Sequence, residues 1–258
     1  DEPALSRYPE DAHVEFRNVS FAYNTTTILK EVSFTANPGT ITALVGPSGA
    51  GKSTIAMLAA RFWDIQDGEI LIGNVPIKEI PTSVLMDNIA LVFQDNMLFF
   101  DTIEENIRMG NKTATFEDVK RAACAAQCHE FIEALPDGYQ TLVGEGGTYL
   151  SGGEMQRLAL ARAILKDAPV ILLDEATAFA DPENEGKILE AFSHLIKGKT
   201  VLVIAHRLGT ITNADHILYL DKGMITEKGT HEELLALHGA YAHMWKTYNR
   251  AKEWIIDR

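Results

Sequence analysis

Basic residues are in short supply in this chain. Lys and Arg number 23 against 36 Asp and Glu, a formal net charge of −13. A protein whose main partner is a nucleic-acid duplex carries a surplus of the opposite sign, so no nucleic-acid partner is expected. Cysteine is scarcer still, with two in 258 residues. Two thiols build no disulfide framework, and a reducing cytosol fits. Long apolar runs are missing too. A membrane-spanning helix needs about 18 or more consecutive apolar residues, whereas the longest stretches here are of the size of Val170–Leu173 and Val201–Ala205. The chain is therefore expected neither to cross a membrane nor to carry a secretory signal. It opens at Asp1-Glu2-Pro3 without an initiator Met, which reads as a piece of something longer. What is present is the 46% hydrophobic, 23% charged make-up of a globular protein, long enough for one large domain or two modest ones.

Two rhythms run along the chain. Val14, Phe16 and, after a slip, Val19 form one apolar side of a first strand that continues to Phe21 and Tyr23. Ile28–Phe34 and Thr40–Val45 follow, with the Asn37-Pro38-Gly39 turn between them, so an antiparallel region is expected at the N-terminus. After residue 46, helical stretches separate short β-branched runs. Helices are expected over Ser53–Phe62, through much of 103–135, over Glu154–Lys166, from Pro182 to about Ile196, and from His231 to the end. Strands are expected at Glu69–Ile72, Leu91–Gln94, Val170–Leu173 and Thr200–Ala205, with a hairpin-like pair, His216–Asp221 and Met224–Lys228, about Lys222-Gly223. Apolar strands alternating with helices imply an α/β fold with a mostly parallel sheet covered on both faces.

Gly46-Pro47-Ser48-Gly49-Ala50-Gly51-Lys52-Ser53 fits G-x-x-x-x-G-K-[ST] in full, between a strand and a helix. Glycines let the backbone turn tightly and bring its N–H groups to phosphate oxygens, and the helix adds the positive end of its dipole. Lys52 is the cation for the β- and γ-phosphates. The Ser53 hydroxyl suits Mg²⁺, a hard ion that prefers oxygen, and Thr54 completes the phosphate-binding run. The alternative, a glycine-rich turn with a chance lysine, does not account for the full register. The motif by itself says nucleoside triphosphate and no more.

Val170–Leu173 ends in Asp174-Glu175. Asp174 is placed to hold Mg²⁺, directly or through water. Glu175 faces the other way by strand alternation and is placed to polarise an attacking water. Leu150-Ser151-Gly152-Gly153-Glu154 opens another helix. Its N–H groups and the Ser151 hydroxyl make a second anion-binding site on the same chain. One chain does not easily fold both sites onto one nucleotide, but two chains packed head to tail can.

These segments together resemble the ATP-binding cassette of ABC transporters, over nearly the whole length. Leu150–Glu154 resembles the family's LSGGQ signature, with Glu154 in place of Gln. Gln94 resembles the Q-loop glutamine, His206 in Ile204-Ala205-His206-Arg207-Leu208 the switch histidine, Tyr23 the aromatic that stacks on adenine, and Asp181 the D-loop aspartate. The closer similarity is to exporter-type half-transporters, through Val14–Phe34, through Gly229–Leu235, and through Val143–Gly147, which resembles the X-loop. The text over Asp174–Glu185 resembles cassettes of the iron-siderophore-type subgroup.

The resemblance implies a P-loop NTPase core at about 13–90 and 168–230 that includes an N-terminal antiparallel β subdomain. It implies a helical signature subdomain at about 95–167 and C-terminal helices at 231–258. It implies ATP and Mg²⁺ as cofactors, with Ser53, Gln94 and Asp174 at the metal. Glu175, His206 and Gln94 would serve hydrolysis. Tyr23, the loop from Gly46 to Thr54, Ser151, Gly152, Gly153 and Asp181 would hold nucleotide. The partners implied are a second cassette and a transmembrane domain fused upstream of residue 1, at the cytoplasmic face of the cell membrane. The chain departs from the pattern at Glu154, at Ala178-Phe179-Ala180-Asp181 in place of Ser-Ala-Leu-Asp, and at Gly146, where many exporters have Arg. A degenerate cassette serving as the regulatory half of a heterodimer therefore stays open beside an ATPase. A soluble ABC ATPase of DNA repair or translation would need a coiled-coil insertion or a second cassette, and the sequence has neither.

Three further groups have two readings each. Cys124, Cys128 and His129, adjacent on an expected helix, have zinc-compatible spacing but no evident fourth ligand. Trp63, Phe99 and Phe100 are either a surface for membrane-domain helices or ordinary packing. Met244, Trp245 and Tyr248 cover either their own domain or a partner.

Overall fold

The computed structural model describes residues 7–93, 97–174, 182–205 and 211–256; for 182–184 and 251–256 it describes the backbone only. The first elements are β1 (Val14–Tyr23), β2 (Thr26–Ala36), β3 (Ile41–Val45), α1 (Lys52–Ala59), β4 (Asp67–Ile72), β5 (Val75–Pro76) and α2 (Thr82–Asn88). Next come β6 (Ile89–Val92), β7 (Asp101–Thr102), α3 (Ile103–Arg108), α4 (Phe116–Ala125), α5 (His129–Glu133), β8 (Leu142–Val143) and α6 (Gly152–Lys166). The remainder is β9 (Val170–Asp174), α7 (Pro182–Ile196), β10 (Thr200–Ile204), β11 (His216–Asp221), β12 (Met224–Gly229), α8 (His231–Ala236) and α9 (Ala240–Ile256). They divide into two compact units. One takes the described residues up to 86, 172–174 and from 200 on; the other takes 87–171 and 182–199.

The first unit holds an antiparallel sheet of order β2-β1-β4-β5. Val14 and Phe16 alternate inward, and the register then shifts, between Phe16 and Val19 against β2 and between Arg17 and Ser20 against β4. Asn18 makes the shift at φ 47°, a left-handed conformation that Asn tolerates. Its N–H donates to the Ser33 hydroxyl at 2.8 Å, and the same hydroxyl donates to its side-chain oxygen at 3.0 Å. The slip in the sequence alternation is this bulge, and it returns Val19 and Phe21 to the buried face. Phe16 stacks on Phe34 at 4.7 Å.

The same unit contains the strands β12-β11-β3-β10 in that order, with the 172–174 end of β9 beyond β10. β3 lies parallel to both β10 and β11. β11 and β12 form an antiparallel hairpin whose Lys222 (φ 48°) and Gly223 (φ 82°) supply the two positive-φ positions of a tight turn. Ala43, Leu44, Val45, Val201, Leu202 and Ile204 are buried, as strands covered on both faces require. The sheet is thus mixed, and the fold is α/β. The C-terminal helices cover their own unit: Leu234, Tyr241, Met244, Trp245 and Tyr248 pack with Ala43, Val45, Ile217 and Tyr219. Burial pushes the Tyr241 phenol up to about 12, and its hydroxyl meets His231 Nδ1 at 2.7 Å.

The second unit is mainly helical. The expected helical stretch 103–135 is broken into three helices. A Cβ at Gly110 would stand 2.2 Å from the Arg162 carbonyl oxygen, which fixes the chain against α6 after α3. Thr115 and Asp118 then cap α4 reciprocally, and Gln127 turns left-handed at φ 56° before α5. Other ends shift by a few residues. α1 stops at Ala59 because Arg61 adopts φ 54°, and the strand expected at Leu91–Gln94 is observed at Ile89–Val92. No helix among the described residues is long and apolar enough to cross a membrane.

Truncating Phe16 to Ala removes a stacked, buried ring, and we expect a loss of about 3–5 kcal/mol in urea unfolding.

Candidate functional site

The phosphate loop owes its path to close backbone approaches. Gly46 leaves β3 with φ 139°, and a Cβ there would lie 2.0 Å from the Leu220 carbonyl oxygen of β11. Only glycine lets the loop rest against that strand. Gly51 has φ 102°, and its Cβ would meet the Leu29 side chain at 2.5 Å. Between them Pro47, Ser48 and Gly49 are exposed, while Ala50 is buried. Lys52 is 5% exposed, and its ammonium donates to the Gly46 and Pro47 carbonyls, both at 2.9 Å. The cation is thus held inside the loop. Ser53 is half-buried and Thr54 buried.

The start of α1 has Gly51 as its N-cap, with no side-chain cap and no acid of its own in the first turn. Helix N–H groups and the positive dipole end face this loop with no carboxylate of their own element to neutralise them. An anion fits there.

Tyr23 ends β1 with its ring edge-on to Phe21 (4.8 Å) and to Trp63 (5.3 Å). Its hydroxyl points at Met57 Sδ, 3.8 Å away on α1. The aromatic expected at adenine therefore stands beside the helix that follows the phosphate loop. Trp63 buttresses it while remaining 52% exposed. From the sequence, Trp63 is open between a surface for membrane-domain helices and ordinary packing; its pairing with Tyr23 joins residues 40 apart, and no local signal announces it. Asp174 is half-buried at the end of β9, behind the buried run Val170–Leu173.

The signature segment is the counterpart of α1. Ser151 is the N-cap of α6, and Glu154 closes a capping box with it. The Ser151 N–H and hydroxyl both donate to Glu154 Oε2 at 2.8 Å, and the Glu154 N–H donates back to the hydroxyl at 3.3 Å. Gly152 is half-buried and Gly153 buried. This second helix start is thus already partnered by a carboxylate of its own chain.

Gln94, Glu175, Asp181 and His206 lie outside the described residues, as do Ala178, Phe179 and Ala180. Cys124 and Cys128 are not on one helix: Cys124 is exposed on α4, and Cys128 is the buried N-cap of α5, its thiol pushed up by burial. His129 Nδ1 meets the Tyr139 hydroxyl at 3.0 Å. Among the described residues no group of three or more His, Cys, Asp or Glu is gathered for a metal ion.

Gly46→Ala sets a methyl group against the Leu220 carbonyl. We expect nucleotide binding to weaken by about 100-fold or more in a fluorescent-nucleotide titration, with the melting temperature also lowered.

Comparison with known proteins agrees with this geometry. The profile of the family described as "ABC transporter" matches residues 29–178. An ATP-dependent lipid A-core flippase of Desulfotalea psychrophila is 47% identical over 242 residues, covering 93% of this chain and 42% of the relative. The mycobactin import ATP-binding/permease protein IrtA of Mycobacterium tuberculosis is 50% identical over 237 residues, covering 92% of this chain and 28% of the relative. A solved structure of a bacterial Atm1-family ABC exporter with ATP bound superposes with a TM-score of 0.89 at 43% identity, covering 95% of this chain and 44% of that one. The chain thus spans less than half the length of these relatives, which are named as membrane transporters. A matched profile over more than half the chain, high identity and a shared fold agree with the phosphate loop and the signature helix: the chain belongs to the ABC transporter family, as an ATP-binding cassette.

Proposed function

We propose that the chain hydrolyses ATP as one half of a head-to-tail pair of cassettes and thereby drives a solute across a membrane. The observation that carries the reading is the pair of unlike helix starts on one chain: one at Gly51 with no side-chain cap, followed by Lys52, and one capped by Ser151 and Glu154. Each ATP would lie between Lys52, Ser53 and Asp174 of one chain and Ser151 and Gly153 of the other, with Tyr23 stacked on adenine. The oxygen donors Ser53, Asp174 and Gln94 suit Mg²⁺, which neutralises phosphate charge when bound. Glu175 would orient water for attack on the γ-phosphorus, so that the bond to the ADP oxygen breaks and inorganic phosphate leaves. His206 would steady the γ-phosphate, and Asp181 would face the partner chain. The roles of Gln94, Glu175, Asp181 and His206 rest on the family resemblance.

The same reading divides the chain into a core with its β subdomain (about 13–90 and 168–230), a signature subdomain (about 95–167) and C-terminal helices (231–258). The relatives named ATP-binding/permease proteins favour a membrane-spanning part on the same polypeptide, with the cassette at the cytoplasmic face. The relatives' names span a lipid A-core flippase, a mycobactin importer and a multidrug exporter at 47–50% identity. That spread favours cargo choice outside the cassette. The exposed side chains of Met97, Phe99 and Phe100 suit a surface that receives the membrane-spanning part.

A second reading, a regulatory half with weak turnover, draws on Glu154. Its carboxylate occupies the hydroxyl that would otherwise grip a partner's γ-phosphate.

In Glu175→Gln we expect ATP binding to persist, steady-state hydrolysis to fall by about 10²–10⁴-fold, and an ATP-dependent dimer to accumulate on size exclusion. Unchanged turnover would remove Glu175 from its role, and negligible single-turnover hydrolysis by the unaltered chain would select the regulatory reading. In Glu154→Gln the amide oxygen keeps the capping bond while the charge goes. The ATP concentration that drives dimerisation should then drop several-fold, while chemical unfolding shows a loss of only about 0.3–1 kcal/mol.

A further inference from the structure

Asn106 is 1% exposed on α3, and its side-chain amide is spent entirely on other groups of the second unit. Its oxygen accepts the Phe99 N–H at 2.9 Å and an Arg162 Nη2–H at 3.3 Å. Its nitrogen donates to the Phe99 carbonyl at 3.0 Å, the Thr102 carbonyl at 3.0 Å and, more weakly, the Asp101 carbonyl at 3.4 Å. Arg162 on α6 adds two bonds of its own, from Nε to the Asn106 carbonyl at 2.9 Å and from Nη1 to the Met97 carbonyl at 3.5 Å. Burial disfavours the Arg162 charge, so the guanidinium depends on these acceptors.

The loop so held carries its apolar side chains outward. Met97 is 71%, Phe99 53% and Phe100 62% exposed. Its backbone is gripped again from the Val143–Gly147 side. Asp101 and Thr102 pair with Val143 and Leu142, and a Cβ on Gly144 would stand 2.6 Å from the Phe99 carbonyl. Arg162 lies eleven residues after Ser151 on one uninterrupted helix, about 16 Å along its axis. A buried side chain with every donor and acceptor committed has no low-cost alternative position.

We propose that Asn106 and Arg162 are positioning residues that make the Met97–Thr102 loop and the signature helix move as one body, so that displacement of the exposed loop reaches Ser151 and nucleotide capture at Ser151 reaches the loop. The inference rests on the reading that Ser151 meets nucleotide in a cassette pair. It adds the mechanical link by which that event is felt at the apolar surface.

The test is amide hydrogen exchange on this chain, with and without a non-hydrolysable ATP analogue and Mg²⁺. In the unaltered protein nucleotide should slow exchange both at 152–160 and at 97–102. In Asn106→Ala and in Arg162→Lys the protection at 152–160 should persist, while the nucleotide-dependent change at 97–102 shrinks to less than about twofold. A role in stability alone would raise exchange without nucleotide but keep the difference nucleotide makes. Arg162→Lys retains the cation and loses the planar fork, and it carries the test if Asn106→Ala does not fold. Loop protection in the variants equal to that of the unaltered protein overturns the link. So does protection of 152–160 without 97–102 in the unaltered protein, which leaves the cassette-pair reading standing. Protection of neither segment overturns that reading itself, and the link with it.

Discussion

The approach of Gly46 to the Leu220 carbonyl is the constraint on which the nucleotide-facing part of the chain depends. The Leu220 oxygen lies 2.0 Å from where a Cβ would stand, so the loop lies directly on β11. β11 in turn is held beside β3 by the parallel register from His216–Thr42 to Tyr219–Val45. Because the loop begins where β3 ends, the pairing of the two strands and the seating of the loop are one event. Lys52 completes it from within, since its ammonium closes on the Gly46 and Pro47 carbonyls. The buried cation thereby has acceptors within the loop and stands at the start of α1, whose first turn holds no acid of its own. A chain with a net charge of −13 can therefore carry an anion site, because the field that matters is the local one.

The two helix starts show how one physical device is set to two strengths. At α1 glycine replaces a capping side chain, and no acid sits in the first turn. At α6 a serine and a glutamate satisfy each other. The first start keeps its capacity for a multiply charged ligand. The second has its hydroxyl and N–H already on a carboxylate of its own chain.

Legibility in the sequence followed the range of the forces involved. The slip after Phe16 was readable because a bulge changes the parity of a local alternation. The turn at Lys222-Gly223 was readable because two successive left-handed residues are a local requirement, and the apolar runs of β9 and β10 because a strand buried on both faces cannot alternate. Misplaced boundaries have distant causes. Helical spacing runs through much of 103–135, yet Gly110 ends the first part because α6 lies against it. Cys124 and Cys128 look like neighbours on one helix, yet the left-handed Gln127 separates them.

Family membership was legible at short range: the spacing of Gly46 to Ser53 and the Leu150–Glu154 text are patterns in which residue type and offset carry the match. Tertiary structure alone decided the supports: Trp63 against Tyr23, the Leu220 carbonyl under Gly46, and Asn106 between the apolar loop and Arg162. These join residues tens to more than a hundred positions apart, and a hydrogen bond or ring contact depends on distance in space, which no local spacing encodes.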